Sequence, residues 1–462
     1  MNFEDTICAI STPAGTGAIA VIRVSGKNTL SICSGLLHFR NSNILLKNAE
    51  SHKAYLVSIE DNNEIIDESV LTFFHSPQSY TGEDVLEISC HGSYYIQQRI
   101  LQLLISCGAR MAKPGEFTLR AFINGKFDLS QAESVADLIS SGSKSAHDLA
   151  IAQMRGGYSS KIKELRAQLL EFASLIELEL DFSQEDVEFA DRGKLNNLLF
   201  RLKDEIEDLI HSFSTGNVLK HGIPVAIVGK PNSGKSTLLN ALLNEEKAIV
   251  SEIPGTTRDI IEDAIIINGI QFRFIDTAGL REAESEIESI GIEKTYEKIR
   301  LAKVILYVFD ITYTDIEEIK EVIEDFRDHI DDDEKRFILV GNKTDLLIEA
   351  PKHFSDFVDM ETIFISAKRK ENIRLITESL IKTVQVKDMK DTATVSNLRH
   401  YEALIKTLHD IENVERGFLN NTPTDLIAID IKSALHHLGS ITGEVTTDEI
   451  LGNIFSNFCI GK

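Results

Sequence analysis

The sequence predicts a multidomain chain that joins α/β parts to an all-α part, with a doubly wound α/β segment inserted between two helical stretches. Three observations predict it: short β-like runs among turn signals up to about residue 120, helical stripes on both sides of residues 222–382, and alternation of apolar and polar runs within them. At 462 residues there is room for two or three domains of about 150 residues each.

In the first segment Ala18–Val24 (AIAVIRV) and Val85–Ser89 (VLEIS) read as strands, separated by turn signals at Pro13–Gly17, Thr81-Gly82 and Pro114-Gly115. From about 128 the pattern turns helical. Ser130 and Glu133 have capping-box spacing, and Leu129, Ala132, Ala136 and Ile139 make one apolar stripe. Proline is absent between Pro114 and Pro224, and two further stripes fall in that span: Ile162, Leu165, Leu169, Phe172 and Ile176, then Leu195, Leu199, Leu202, Ile206, Leu209 and Phe213. Residues 222–382 alternate VAIVG, FRFID, VILYVFD, FILVGNK and TIFISA with helix-compatible stretches. After about 386 helix returns, with a stripe at Leu398, Tyr401, Leu404, Ile405, Leu408 and Ile411. Each helical half lacks a partner alone, so the expected organisation is 1–122, a helical domain split into 123–218 and 385–462, and an inserted domain over 219–384.

Composition narrows the function classes. With 72 acidic and 48 Lys+Arg residues the net charge is −24, which disfavours nonspecific adhesion to nucleic acid or anionic membrane. No run approaches the ~18 to 20 apolar residues of a spanning helix, and MNFEDTICAI lacks a signal pattern, so a cytoplasmic protein is expected. The five cysteines, Cys8, Cys33, Cys90, Cys107 and Cys459, are odd in number and form no CxxC pair. Reduced thiols are expected, the first four as small core residues.

The chemistry is most legible at Gly229–Ser236, GKPNSGKS, which fits GxxxxGK[ST] after an apolar strand and before a helical run. Backbone N–H groups would wrap phosphates, Lys235 would neutralise β/γ oxygens, and Ser236 would offer a hydroxyl to Mg²⁺. Asp276–Gly279 (DTAG) ends the next strand, where Asp276 can reach Mg²⁺ through water and the Gly279 N–H can face the γ-phosphate; Thr257 lies between, where a switch threonine would bind the metal. Asn342, Lys343 and Asp345 of NKTD end another strand, and the aspartate can accept two hydrogen bonds from guanine. Ser366, Ala367 and Lys368 would close the base pocket. In this order on strand ends, the motifs predict a GTPase and resemble the translation-factor-like P-loop group. Leu280 follows DTAG where Ras-like proteins carry a water-orienting glutamine, and Glu282, Glu284, Glu286 and Glu288 stand downstream as candidates.

Several strings narrow the resemblance: DTICAISTP, IAVIRVSG, YTGEDVLEISCHG, KPGEFTLRAFINGKFDLSQAESVADLI, GKPNSGKSTLLNALL, IPGTTRD, DTAGLRE and the terminal FCIGK. Across its whole length the chain resembles the MnmE (TrmE) family, GTPases of tRNA wobble-uridine modification.

The resemblance implies an N-terminal folate-binding and dimerising α/β domain, a discontinuous helical domain and an inserted Ras-like P-loop GTPase domain. It implies a GTP site that takes in Ser233, Gly234 and Thr237 of the P-loop, Glu252, Pro254 and Gly255 of the following loop, and Thr277 and Ala278 of DTAG. A potassium ion would be held by Asn232, Ser251, Ile253 and Thr256. Glu288 would position water once two G domains meet. Arg23, Glu83, Lys126 and Lys462 would contact 5-formyltetrahydrofolate, and Cys459 would stand by that pocket with a part in uridine chemistry. The implied partner is MnmG (GidA), an FAD and NADH protein that forms a heterotetramer with the homodimer. No FAD or NADH fingerprint is read in this chain, so redox chemistry is expected from that separate protein, along with the positive tRNA-binding face. Rival classes are a ribosome-assembly GTPase, for which no RNP1 string or KH-type loop is read, and a membrane-remodelling GTPase, for which no basic amphipathic helix is read.

Overall fold

Alternation of side chains in the N-terminal segment produces a sheet with two unlike faces. In the computed structural model, which describes residues 4–40, 45–62, 64–181, 192–245, 263–275, 299–330, 335–347, 360–383, 393–420, 422–456 and 458–461, the segment forms strands β1 (Ile7–Ile10), β2 (Ile19–Ser25), β3 (Leu37–Phe39), β4 (Ala54–Asp61), β5 (Glu64–Phe74), β6 (Val85–His91) and β7 (Arg110–Met111). They order as β3-β4-β5-β6-β2-β1-β7, antiparallel except for the β1–β7 pair. Ala20, Ile22 and Val24 of β2 enter the main core with Ile100, Leu101 and Leu104 of helix Tyr94–Ser106. The period of two turns Arg23 and Ser25 to the opposite face, where the apolar cluster is small: Ile7, Ala9, Ala112 and Phe117. A sheet face with so little apolar filling is where polar chemistry can sit.

The helical part is built on the predicted stripes. Ile162, Leu165, Leu169, Phe172 and Ile176 of helix Gly157–Asp181 are all fully buried, and this helix packs on helix Thr424–Thr442. Leu199, Leu202, Ile206 and Leu209 of helix Arg192–His221 are buried, Phe213 is half-buried, and the side chain of Leu195 lies outside the described residues. Two expectations need correction. In helix Leu398–Leu419 the buried positions include His400, Ala403, Leu404, Thr407, Ile411 and Val414, whereas Leu398 and Ile405 are exposed. The buried face takes in polar and small residues such as His400, Ala403 and Thr407 in place of those two. In helix Leu129–Ser140, Leu129 and Ala132 are buried but Ile139 is exposed.

The start of that last helix also differs. Asp128 Oδ1 accepts from the Gln131 N–H at 3.0 Å and the Ser130 hydroxyl at 2.8 Å, while Gln131 Oε1 accepts from the Asp128 N–H at 3.0 Å. This reciprocal box begins two residues before the expected Ser130/Glu133 pair, whose members are buried within the first turns. Lys163 Nζ donates to Asp128 Oδ2 at 2.8 Å. Burial raises the Asp128 carboxyl, but Lys163, the Gln131 N–H and the Ser130 hydroxyl outweigh it and hold the group below its ordinary range. A depressed folded value means the contribution is present above the unfolded aspartate pKa of about 3.9 and lost as pH falls through the folded one. Asp128→Ala should therefore lose about 1 kcal/mol at pH 7. In urea titrations followed by circular dichroism the difference from wild type should shrink on acidification, and a difference independent of pH would refute the charge-linked part.

The second sheet has strands β8 (Ile223–Val228), β9 (Asp263–Ile267), β10 (Ile270–Phe274), β11 (Val304–Asp310), β12 (Arg336–Asn342) and β13 (Thr362–Phe364), in the order β13-β12-β11-β8-β10-β9. All neighbours are parallel except β9 with β10. The near-continuous apolar runs follow from this, since a parallel sheet is covered on both faces. Strand β9 is additional to the five expected. It joins β10 through Asn268 and Gly269, both at positive φ, 53° and 83°. Ser145 N and Oγ donate to the Gly269 carbonyl at 3.1 and 2.9 Å, which docks the start of helix Lys144–Met154 on the hairpin tip.

By contacts the chain divides into two compact units. One comprises Met1–Ile139, Ile151–Glu207 and Glu402–Lys462, the other Ser140–Ala150 and Asp208–Tyr401. Among the described residues no helix is long and apolar enough to cross a membrane.

Candidate functional site

The nucleotide motifs converge where the parallel sheet reverses its order. Strand β8 lies between β11 and β10, and the chain leaves its carboxyl end through residues 229–234 into helix Lys235–Glu245. That topology opens a crevice at strand ends beneath a helix N-terminus. Two glycines are required there. A Cβ on Gly229, at φ 143°, would stand 2.0 Å from the Val308 carbonyl oxygen, and one on Gly234, at φ 95°, would stand 2.2 Å from Asn342 Nδ2. Asn232 sits exposed at the loop tip with φ 61°, while Ser236 and Thr237 occupy the first helical turn. Lys235 Nζ folds back over the loop, donating to the Gly229 and Lys230 carbonyls at 2.8 and 2.7 Å.

Asn342, at the end of β12, ties three motifs together. Its Nδ2 donates to the Ser233 carbonyl at 2.8 Å, and its Oδ1 accepts from the Lys343 N–H at 2.8 Å and the Ala367 N–H at 3.0 Å. The P-loop, the NKTD end and the SAK turn are thus cross-linked through one buried amide. Asp345 Oδ1 accepts from the Ser366 hydroxyl at 2.7 Å, and that bond holds its carboxyl below the ordinary range. Ser366 Oγ in turn accepts from the Arg369 N–H at 3.1 Å, and Lys368 is exposed beside it. An ionised carboxylate bonded in this way keeps further lone pairs with which to accept hydrogen bonds. Ser233 Oγ is buried with no hydrogen-bond partner among the described residues, a polar atom left over inside the loop.

One residue absent from the sequence-based site belongs to this frame. Asp310 ends β11 directly opposite Asn342 and receives Lys343 Nζ at 2.6 Å. Burial raises Asp310, but Lys343 and Thr312 outweigh it and keep it low. The signal was a carboxylate closing the run VILYVFD. Ser251, Glu252, Ile253, Pro254, Gly255, Thr256, Thr257, Asp276, Thr277, Ala278, Gly279, Glu288 and Lys462 lie outside the described residues. Among the described residues no group of three or more His, Cys, Asp or Glu side chains could hold a metal ion.

A second polar site occupies the sparse face of the N-terminal sheet. Arg23 donates through Nε and Nη2 to Glu87 Oε1 at 3.0 and 2.8 Å, with its guanidinium 5.1 Å from the Tyr80 ring centroid and 5.6 Å from that of Phe117. Glu83 accepts from the Ser25 hydroxyl at 2.8 Å and from Arg120. Lys126 Nζ donates to the Pro77 carbonyl at 2.8 Å. Arg23, Glu83 and Lys126 are therefore gathered around residues 77–83. Alone, each read as a surface charge; in fact Arg23 and Glu83 side chains are only 17% and 14% exposed. Glu87, Tyr80 and Arg120 were missed, although the alternation of VLEISCH puts Glu87 on the face of Arg23.

The C-terminal tail reaches the same domain. Helix Asp448–Ser456 buries Leu451 and Phe455 against Leu129 and Ala132. Beyond it the Cys459 carbonyl accepts from the Gly115 N–H at 3.3 Å, and the Gly461 carbonyl accepts from Ser11 Oγ at 3.1 Å. Cys459 is exposed, as is Cys107, which corrects the expectation that Cys107 is a core residue: it caps the end of helix Tyr94–Ser106. Cys8, Cys33 and Cys90 are buried, and burial pushes the thiols of Cys8 and Cys90 up to about 11 and that of Cys33 still higher.

Comparison with known proteins accords with this geometry. Residues 129–459 match the model of the MnmE helical domain, and residues 6–126 match that of the GTP-binding protein TrmE N-terminus. The chain is 52% identical to the tRNA modification GTPase MnmE of Flavobacterium psychrophilum, with all of both chains covered. It is 50% identical to the protein of that name from Cytophaga hutchinsonii, over 100% of this chain and 98% of the relative. Among solved structures, a point variant of Aquifex aeolicus Era bound to GDP and AlF4⁻ is 29% identical over 40% of this chain and 66% of that one, with a TM-score of 0.27. The nucleotide crevice, the sparse polar sheet face and the match along the whole length agree, and the chain belongs to the MnmE family of tRNA modification GTPases.

Proposed function

We propose that this GTPase uses potassium-activated hydrolysis to drive formation of the 5-carboxymethylaminomethyl group on wobble uridine 34 of certain tRNAs, with 5-formyltetrahydrofolate as one-carbon donor. The observation that carries the hydrolytic half is the Asn342 cross-link, which holds the phosphate loop and the base-reading strand ends as one frame. Lys235, Ser236, Asn342, Asp345 and Ser366 bind and orient the nucleotide. Bound Mg²⁺ and K⁺ supply positive charge against the phosphates. Ser236 and Thr257 would hold the first, and Asn232, Ser251, Ile253 and Thr256 the second. Glu288 orients the attacking water when the G domains of a homodimer meet.

The one-carbon half rests on residues of one sheet face and one tail. Arg23 is already paired with Glu87, so its remaining N–H groups suit a neutral oxygen such as a formyl group, while Lys126 and Lys462 suit the glutamate carboxylates. Cys459 stands on the tail beside this domain with its backbone fixed by Gly115. The division of labour is 1–122 for folate and dimerisation, 123–218 with 385–462 for the helical frame, and 219–384 for GTP. A cytoplasmic MnmG-type flavoprotein supplies the redox chemistry and the basic tRNA face that a chain of charge −24 lacks.

Mass-spectrometric nucleoside analysis of bulk tRNA from cells with and without this gene tests the proposal. Loss of the C5-aminomethyl-type wobble uridines should be restored by the intact gene and by neither Glu288→Ala nor Cys459→Ser. Purified Glu288→Ala should keep its nucleotide affinity yet lose potassium-stimulated hydrolysis. An unchanged nucleoside profile on gene loss refutes the modification role.

A further inference from the structure

Glu83 is gripped on one oxygen and left open on the other. Its Oε2 accepts from the Ser25 hydroxyl at 2.8 Å and from Arg120 Nη1 at 3.2 Å, whereas Oε1 receives only Arg120 Nη1, at 3.3 Å. A carboxylate offers about four lone-pair positions. Both on Oε2 are taken, and one on Oε1 has no partner among the described residues.

The grip is itself anchored. Arg120 is fully buried; its Nη2 donates to Asp5 Oδ1 at 2.7 Å and Glu116 Oε1 at 3.1 Å, and its Nη1 to the Asp5 carbonyl at 2.8 Å. Glu116 also takes Arg110 and the Lys113 N–H. Burial raises Glu116, but these partners outweigh it and keep the carboxyl low, so Arg120 faces a lasting negative charge. On the other side Ser25, also buried, is bonded to Thr81 Oγ1 at 2.8 Å. A buried ion network of this kind contributes little net stability compared with apolar packing, but it fixes directions. Here the direction it fixes is that of the open oxygen of Glu83.

We propose that Arg120 and Ser25 are positioning residues that aim Glu83 Oε1 at the 2-amino edge of a bound pterin, making recognition of that edge depend on two residues that do not touch the ligand. The inference rests on the one-carbon reading above.

Calorimetric binding of 5-formyltetrahydrofolate and of its 2-desamino analogue to the full-length chain tests it. Wild type should prefer the 2-amino ligand by roughly 10- to 100-fold, the range of one hydrogen bond to a charged acceptor. Arg120→Lys and Ser25→Ala should each cut that preference at least about threefold. Loss of packing alone would weaken both ligands equally and leave the ratio intact, so an unchanged ratio in folded Ser25→Ala overturns the positioning role even if Arg120→Lys fails to fold. Wild-type binding without a preference overturns it too. Failure of wild type to bind either ligand overturns the one-carbon reading itself.

Discussion

Asp345→Asn should lower GTP affinity by about 10²- to 10⁴-fold and raise affinity for xanthosine triphosphate. The carboxylate is held by Ser366 through Oδ1, and that hydroxyl bond lowers its pKa from the ordinary aspartate range, so it is ionised at neutral pH. It can then accept the guanine N1–H and 2-amino groups, two hydrogen bonds to a charge at about 1.5–3 kcal/mol each. Asparagine keeps an acceptor for Ser366 but turns an amide N–H toward the base, opposing the guanine donors and suiting the xanthine C2 carbonyl. Competition binding of the two nucleotides reads the switch directly. Undiminished GTP affinity in the variant would mean that Asp345 does not read the base.

Asn342→Ala should cost about 2–6 kcal/mol of stability and weaken nucleotide binding as well. Removing the amide strips partners from the Ser233 carbonyl and from the Lys343 and Ala367 N–H groups. Asn342 and Ala367 are only 3% exposed, so water cannot readily substitute. Of these, the Ser233 carbonyl and the Ala367 N–H are buried, and each buried group left unpaired costs about 1–3 kcal/mol. The same loss frees the P-loop from the base-reading turn, so phosphate and base contacts cease to be made by one rigid frame. Thermal unfolding without nucleotide and equilibrium binding with it separate the two effects. A variant as stable as wild type would show that the cross-link is incidental.

The parallel sheet was legible because its strands are buried on both faces, and five apolar runs announced five strands. Strand β9 escaped the pattern although Asn268-Gly269 between DAIII and IQFRF is a two-residue hairpin signal, visible in retrospect. The helical stripes of residues 162–176 were legible for the same reason of periodicity. At Leu398 and Ile405 periodicity misled, since apolar residues at helical spacing need not all meet a neighbour.

The sequence by itself determined the family and the GTPase motifs, because phosphate and guanine recognition demand particular residue types at short, local spacings. It also determined the residues gathered near the N-terminal sheet, through their resemblance to one family. Tertiary structure alone decided how those residues are held. Asn342 reaches back 109 positions to Ser233, Glu83 meets Arg120 across 37, and Ser11 bonds to Gly461 across 450. Hydrogen bonds of that reach leave no periodic trace, since their partners are set by how strands and helices stack.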